Sequence, residues 1–199
     1  MNLSEKDGET LVKTARVAVT EYLKTRKRLT LPEDFRSEFS YNSGVFVTLY
    51  KVADLRGCIG FPTPERKLYQ SLVDAAIGSA TEDPRFPPVR YEELSDISFE
   101  VTVLTPPEEI NVENTSEYPS RIRVGRDGLI VRWEFGAGLL LPQVPVEYGW
   151  NEEEFLNHTC EKAGASRDCW KGKSTKILRF EGIVFKETSP NGNIVRVQL

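Results

Sequence analysis

The chain has 199 residues, 39% of them hydrophobic, which suffices for the core of one ordinary domain or of two intimate subdomains. Its 26 basic against 30 acidic side chains leave a net charge of −4, with no general attraction to nucleic-acid backbones or anionic membranes. No stretch approaches the roughly 18 consecutive apolar residues of a membrane span, and the polar opening MNLSEKDGET does not read as a secretory signal, so a cytoplasmic protein is expected.

Ser4 with Asp7 three positions on resembles a capping box and predicts a first helix carrying Leu11, Ala15, Ala18 and Tyr22 on one face. It should end near KTRKR, residues 24–28, where cations oppose the negative end of the helix dipole. After a polar linker, residues 45–50 and 55–61 read as a β-hairpin turned around Ala53 and Asp54. Thr63, Pro64 and Glu65 then signal a helix start, with the helix running to about Ala80. Leu68, Leu72, Ala75, Ala76 and Ser79 share one side, and these small residues suggest close approach to a sheet. Val73 and Ile77 point elsewhere, so cover on more than one side is expected.

EDPRFPP, residues 82–88, must be a rigid irregular loop, because its prolines remove donors and disfavour helix. ISFEVTVL alternates strictly, with Ile97, Phe99, Val101 and Val103 on a core face and Ser98, Glu100 and Thr102 on the other. RIRVGRDGLIVRW reads as two strands joined through Asp127-Gly128, and GAGLLLPQV as another. Asn151 with Glu154 predicts a capped helix ending at Gly164, with Phe155, Leu156, Thr159, Cys160 and Ala163 apolar and His158 on the flank. The tail gives two or three strands with a turn at Asn191-Gly192. Strands interrupted by separate helices, without regular alternation, predict an α+β fold: a mixed, mainly antiparallel sheet with packed helices.

The stretch DLRGCIGFP, residues 54–62, places Cys58 between two glycines. Three cysteines without a close C-x-x-C pair point to reduced thiols, not to a disulfide framework or a structural zinc site. Cys58 is either a nucleophile or ligand contact, with Arg56 as anion clamp and the Gly57 and Gly60 N–H groups as polarising donors, or a small apolar filler in a glycine-rich strand. On a regular strand Arg56 and Cys58 would share a face. His158, the lone histidine, is the natural base for a Cys/His mechanism; otherwise it is a core-edge residue bonded to a carboxylate. Cys160 and Cys169 read as core residues. Asp83 and Arg85 either face a cleft or close their own loop as an ion pair. Glu100 is a general base or, as alternation favours, a solvated strand residue. Gln143, between Pro142 and Pro145, either reads a ligand or satisfies backbone groups of an extended segment. No Walker lysine motif and no G-x-G-x-x-G supports a standard nucleotide fold, and no cofactor can be named.

LRGCIG at 55–60, DPRF at 83–86, LLLPQVPVEYGW at 139–150 and FLNHTCEKAG at 155–164 together resemble the AMMECR domain family over nearly the whole chain. The resemblance implies a single domain over residues 1–199 made of two subdomains, approximately 35–135 and 1–34 plus 136–199, with the hexapeptide near the cleft between them. It names no biochemical activity, and it makes Memo-like and radical SAM proteins plausible pathway partners. Two functions stand as expectations: binding of a small anionic ligand, with cysteine-dependent chemistry through Cys58, or a noncatalytic adaptor for a partner protein.

Overall fold

The first helix begins where its cap places it. In a computed structural model, which describes residues 3–197, the Asp7 N–H donates to Ser4 Oγ while the Ser4 N–H donates to Asp7 Oδ2. The helix, α1 (Glu5–Thr25), buries Leu11, Val12, Ala15, Ala18 and Val19. It stops at Arg26, whose left-handed backbone (φ 60°) lets its N–H close onto Tyr22 O at 2.8 Å. Of the basic run only Lys24 sits in the last turn.

The expected linker contains a short helix, α2 (Glu33–Glu38), which buries Phe35 against Phe39. Six residues are too few to show a helical period. The hairpin forms as expected from β1 (Val45–Lys51) and β2 (Asp54–Phe61), with a bulge where Leu49 gives way to Tyr50. The next helix, α3 (Leu68–Thr81), starts later than Thr63 predicts. Long-range partners fix its start: the Leu68 N–H donates to Tyr41 O at 2.9 Å and Lys67 bridges to Asn42, so the Thr63-Pro64 signal is spent on a turn. Its Leu68, Leu72, Ala75, Ala76 and Ser79 are buried, and so are Val73 and Ile77, matching the expected cover on several sides. After the irregular loop, a 3-10 turn (Tyr91–Asp96) leads into β3 (Ile97–Leu104), whose alternate residues Ile97, Phe99, Val101 and Val103 are fully buried.

Farther along come β4 (Glu108–Glu109), α4 (Tyr118–Arg121), β5 (Asp127–Trp133) and β6 (Gly136–Leu140). The RIRVGRDGLIVRW segment supplies one strand, not two. Asp127, read as a turn residue, is fully buried at the strand's start, where its carboxylate accepts the Arg123 N–H at 2.8 Å and pairs with Arg126. The end of LLLPQV is likewise not extended: Gln143 opens α5 (Gln143–Tyr148), because prolines are tolerated in a first helical turn. Asn151 and Glu154 cap α6 (Glu152–Lys162) reciprocally, with Phe155, Leu156, Thr159 and Cys160 buried and Gly164 left-handed just beyond. Cys160 is joined to Cys169 in a disulfide with Cα atoms 5.9 Å apart, which corrects the expectation of reduced thiols. The chain after α6 turns back on the helix, and a C-x8-C spacing carries no local signature of that return. The tail forms β7 (Lys176–Glu187) and β8 (Ile194–Val197), turned at left-handed Asn191.

The fold is α+β, and every strand register resolved is antiparallel. The chain forms two units, residues 3–104 with 183–197, and residues 105–182. In the first, β2, β1 and β3 are neighbours in that order, the end of β7 lies beside β3, and β8 pairs with Val184–Glu187. In the second, the start of β7 pairs with β4 and with β5, and β5 with β6. This division differs from the expected 35–135 against 1–34 plus 136–199. The α1 helix packs on α3 and β3, so it belongs with the hairpin, while β5 finds its partners in β6 and β7.

Candidate functional site

Among the described residues β2 is an edge strand of the first unit's sheet, paired with β1 on one side. Antiparallel register sets Cys58 opposite Thr48, and Thr48 opposite Glu100 on β3. Cross-strand partners project to the same face, so these three side chains form a row on the face opposite the core residues Val47, Leu49, Phe99 and Val101. Thr48 Oγ1 lies 3.3 Å from Cys58 Sγ. Thr48 is buried, and Cys58 and Glu100 are half-buried. Burial pushes the Cys58 thiol up, against the lowering influence of the Thr48 hydrogen bond and of Arg85. Burial also raises the Glu100 carboxyl, opposed by the Lys186 ammonium and a hydrogen bond from Tyr50. Glu100 is therefore not the fully solvated strand residue that alternation favours.

The free edge of β2 is closed by the DPRF loop. The Cys58 N–H donates to Asp83 Oδ2 at 2.8 Å, and Arg85 Nη2 reaches Cys58 O at 3.5 Å. Arg85 also grips both oxygens of Asp83, Nε to Oδ1 at 3.0 Å and Nη2 to Oδ2 at 2.7 Å, while its N–H donates to Oδ1. Asp83, 5% exposed, is held far below the usual carboxylate range, chiefly by the Arg85 hydrogen bonds. Of the two readings of Asp83 and Arg85, the geometry matches the ion pair that closes their own loop, and the same pair satisfies edge groups that would otherwise be open to another strand.

Arg56 is placed differently from expectation. The bulge takes it out of regular register, and its guanidinium donates to Pro87 O at 2.9 Å and to Glu93 Oε2 at 3.2 Å. Glu93, bound by the Arg90 N–H and by Arg56, has its carboxyl drawn down to about 2. Arg56 anchors the loop. At Gly57 a Cβ would stand 2.0 Å from Ser79 O, so α3 backbone fills the space that a ligand was expected to approach, and at Gly60 it would strike the Phe46 ring.

Gln143 and His158 lie in the second unit. Gln143 is exposed at the start of α5. The His158 ring stacks on Trp150 at 3.8 Å, Nδ1 sits 2.7 Å from Glu161 Oε2, and Arg167 lies 3.5 Å from Nε2. The structure thus brings together Cys58, Asp83, Arg85 and Glu100 and adds Thr48, Tyr50 and Lys186, which sequence reading missed. The signal for Thr48 was present, since it falls on the polar phase of the β1 alternation. Among the described residues no group of three or more His, Cys, Asp or Glu could hold a metal ion, and no helix is long and apolar enough to cross a membrane.

A sequence model of the AMMECR1 family matches residues 12–185. A protein from Methanothermobacter thermautotrophicus is 54% identical over 185 residues, spanning 93% of this chain and 96% of that one. Protein MJ0810 of Methanocaldococcus jannaschii is 46% identical over 199 residues, with 99% and 98% covered. The crystal structure of uncharacterized protein PH0010 from Pyrococcus horikoshii superposes with a TM-score of 0.85 at 50% identity, covering 99% of both chains. The chain belongs to the AMMECR1 family.

Proposed function

We propose that the first unit binds a small anionic ligand over the row Cys58, Thr48 and Glu100, with the Arg85 guanidinium and the Lys186 ammonium supplying positive charge. The observation that carries the reading is the row itself: a free thiol, a hydroxyl and a carboxyl withdrawn from full solvent on the sheet face away from the core. Thr48 and Cys58 hydrogen-bond each other and Tyr50 hydrogen-bonds Glu100, and the half-buried thiol and carboxyl keep further hydrogen-bonding capacity for a ligand's polar end. Cys58 enters as a neutral thiol, because burial works against the thiolate that nucleophilic chemistry requires.

The probe is a pair of alkylating agents of similar size, anionic iodoacetate and neutral iodoacetamide. Cys58 should react with iodoacetate at a rate, relative to iodoacetamide, above that of a free cysteine peptide. Arg85→Gln and Lys186→Gln should each reduce that preference. Equal or lower preference for the anion, or no reaction with either agent before unfolding, overturns the reading.

A further inference from the structure

A second cleft in the first unit uses none of these residues. It encloses about 270 Å³ where the chain leaving α1 passes the outer side of α3. Its wall carries three guanidiniums, Arg28, Arg36 and Arg66, against one carboxylate, Asp74. Arg28, the last residue of the basic run, lies beyond the helix it was expected to cap and pairs with Asp74. Arg66 pairs with the same carboxylate, Nη2 to Oδ2 at 2.6 Å, and its guanidinium is steadied over the Phe61 ring at 5.3 Å. Among the described residues Arg36 pairs with Glu33, whose side chain is 78% exposed, and such surface pairs are weak in water.

One arginine would suffice to neutralise Asp74; here two share it, and the third is held by an exposed carboxylate. With Glu33 counted beside Asp74, three cations meet two anions and leave one positive charge in surplus, in a chain whose net charge is −4. Leu31 and Tyr69 give the same cleft an apolar side. Its volume, just below the roughly 300–1,000 Å³ typical of drug-sized pockets, suits a small molecule.

We propose that this cleft binds a small phosphate monoester, its dianionic phosphoryl group taken by Arg28, Arg36 and Arg66 and its apolar or aromatic body lying on Leu31 and Tyr69. A phosphoryl dianion carries more charge than the exposed Glu33 with which it competes for Arg36, and guanidinium forks match the oxygen geometry of a phosphoryl group.

Phenyl phosphate, followed by calorimetry at low salt, tests the proposal, with inorganic phosphate and phenol as controls. Saturable binding of phenyl phosphate is expected, weaker binding of inorganic phosphate, and none of phenol, with affinity falling as salt rises. The double variant R28Q/R66Q and the single variant R36Q should each weaken phenyl phosphate binding by at least about tenfold. No saturable binding up to about 10 mM overturns the proposal. Unchanged affinity in R36Q overturns it as well, even if the double variant, which strips Asp74 of its partners, fails to fold.

Discussion

Asp83 reaches 25 residues back along the chain to accept the main-chain N–H of Cys58 at 2.8 Å, while Arg85 holds the same carboxylate in place. One acid therefore fixes both the loop and the edge of the strand that carries the thiol.

Asp83→Asn keeps an acceptor for one of these donors and removes the charge that Arg85 grips. The expected loss of stability is about 1–3 kcal/mol, the range for a buried polar group left imperfectly paired. Urea unfolding measures it, and hydrogen exchange at the Cys58 amide should quicken. An unchanged midpoint with unchanged exchange would show that the carboxylate does not hold the edge.

The pH dependence has a definite sign. Asp83 and Glu93 have folded pKa values below their unfolded ones, Glu93 at about 2 against an ordinary 4.5. Their contribution is complete above the unfolded value and is lost as pH falls through the folded one. Unfolding free energy should therefore decline between about pH 4.5 and about pH 2, and Glu93→Gln should make that decline shallower. A Glu93→Gln profile parallel to that of the natural protein throughout would refute the assignment.

Cys58 titrates with the opposite sense. Its thiol is raised by burial above an ordinary value of 9.0, so its alkylation by iodoacetamide should still be accelerating past that pH. Thr48→Val removes a hydrogen bond that favours the thiolate and should slow the reaction further at fixed pH. Because the folded value is the higher one, the thiol's contribution to stability is complete below the unfolded pKa and disappears as pH rises through the folded one. Mass spectrometry reads a single site, since Cys160 and Cys169 are bonded to each other. A rate that levels off below pH 9 would contradict the burial argument.

Elements with local, periodic signals were legible in the sequence: the capped helices α1 and α6, the hairpin of β1 and β2, and the alternation of β3. What failed was decided at long range. The start of α3 is set by Tyr41 and Asn42, and the place of Arg56 by a bulge and Glu93. The site was half visible, because LRGCIG and DPRF flag themselves, while Thr48 joins Cys58 and Glu100 through strand register and Lys186 acts on Glu100 from a distant part of the chain.

Gly57 is a packing requirement. A Cβ there would meet the Ser79 carbonyl oxygen at 2.0 Å, a backbone atom with no rotamer to escape through. Gly57→Ala should destabilise the protein by at least about 1–3 kcal/mol, read as a lowered melting temperature. An unshifted melt would mean that β2 and α3 do not approach as described.

Residues 105–182 are one uninterrupted run, whereas the unit containing Cys58 needs residues 183–197 to be complete. Those late residues bring the Phe185 ring against Gly8 and the Glu187 carboxylate to Arg16 and to the Phe99 N–H at 3.0 Å. As the polypeptide emerges from a ribosome, its middle can fold while its beginning still waits for its end. Nascent chains arrested once residue 182 has cleared the exit tunnel should resist protease across 105–182 and remain cleavable within α1.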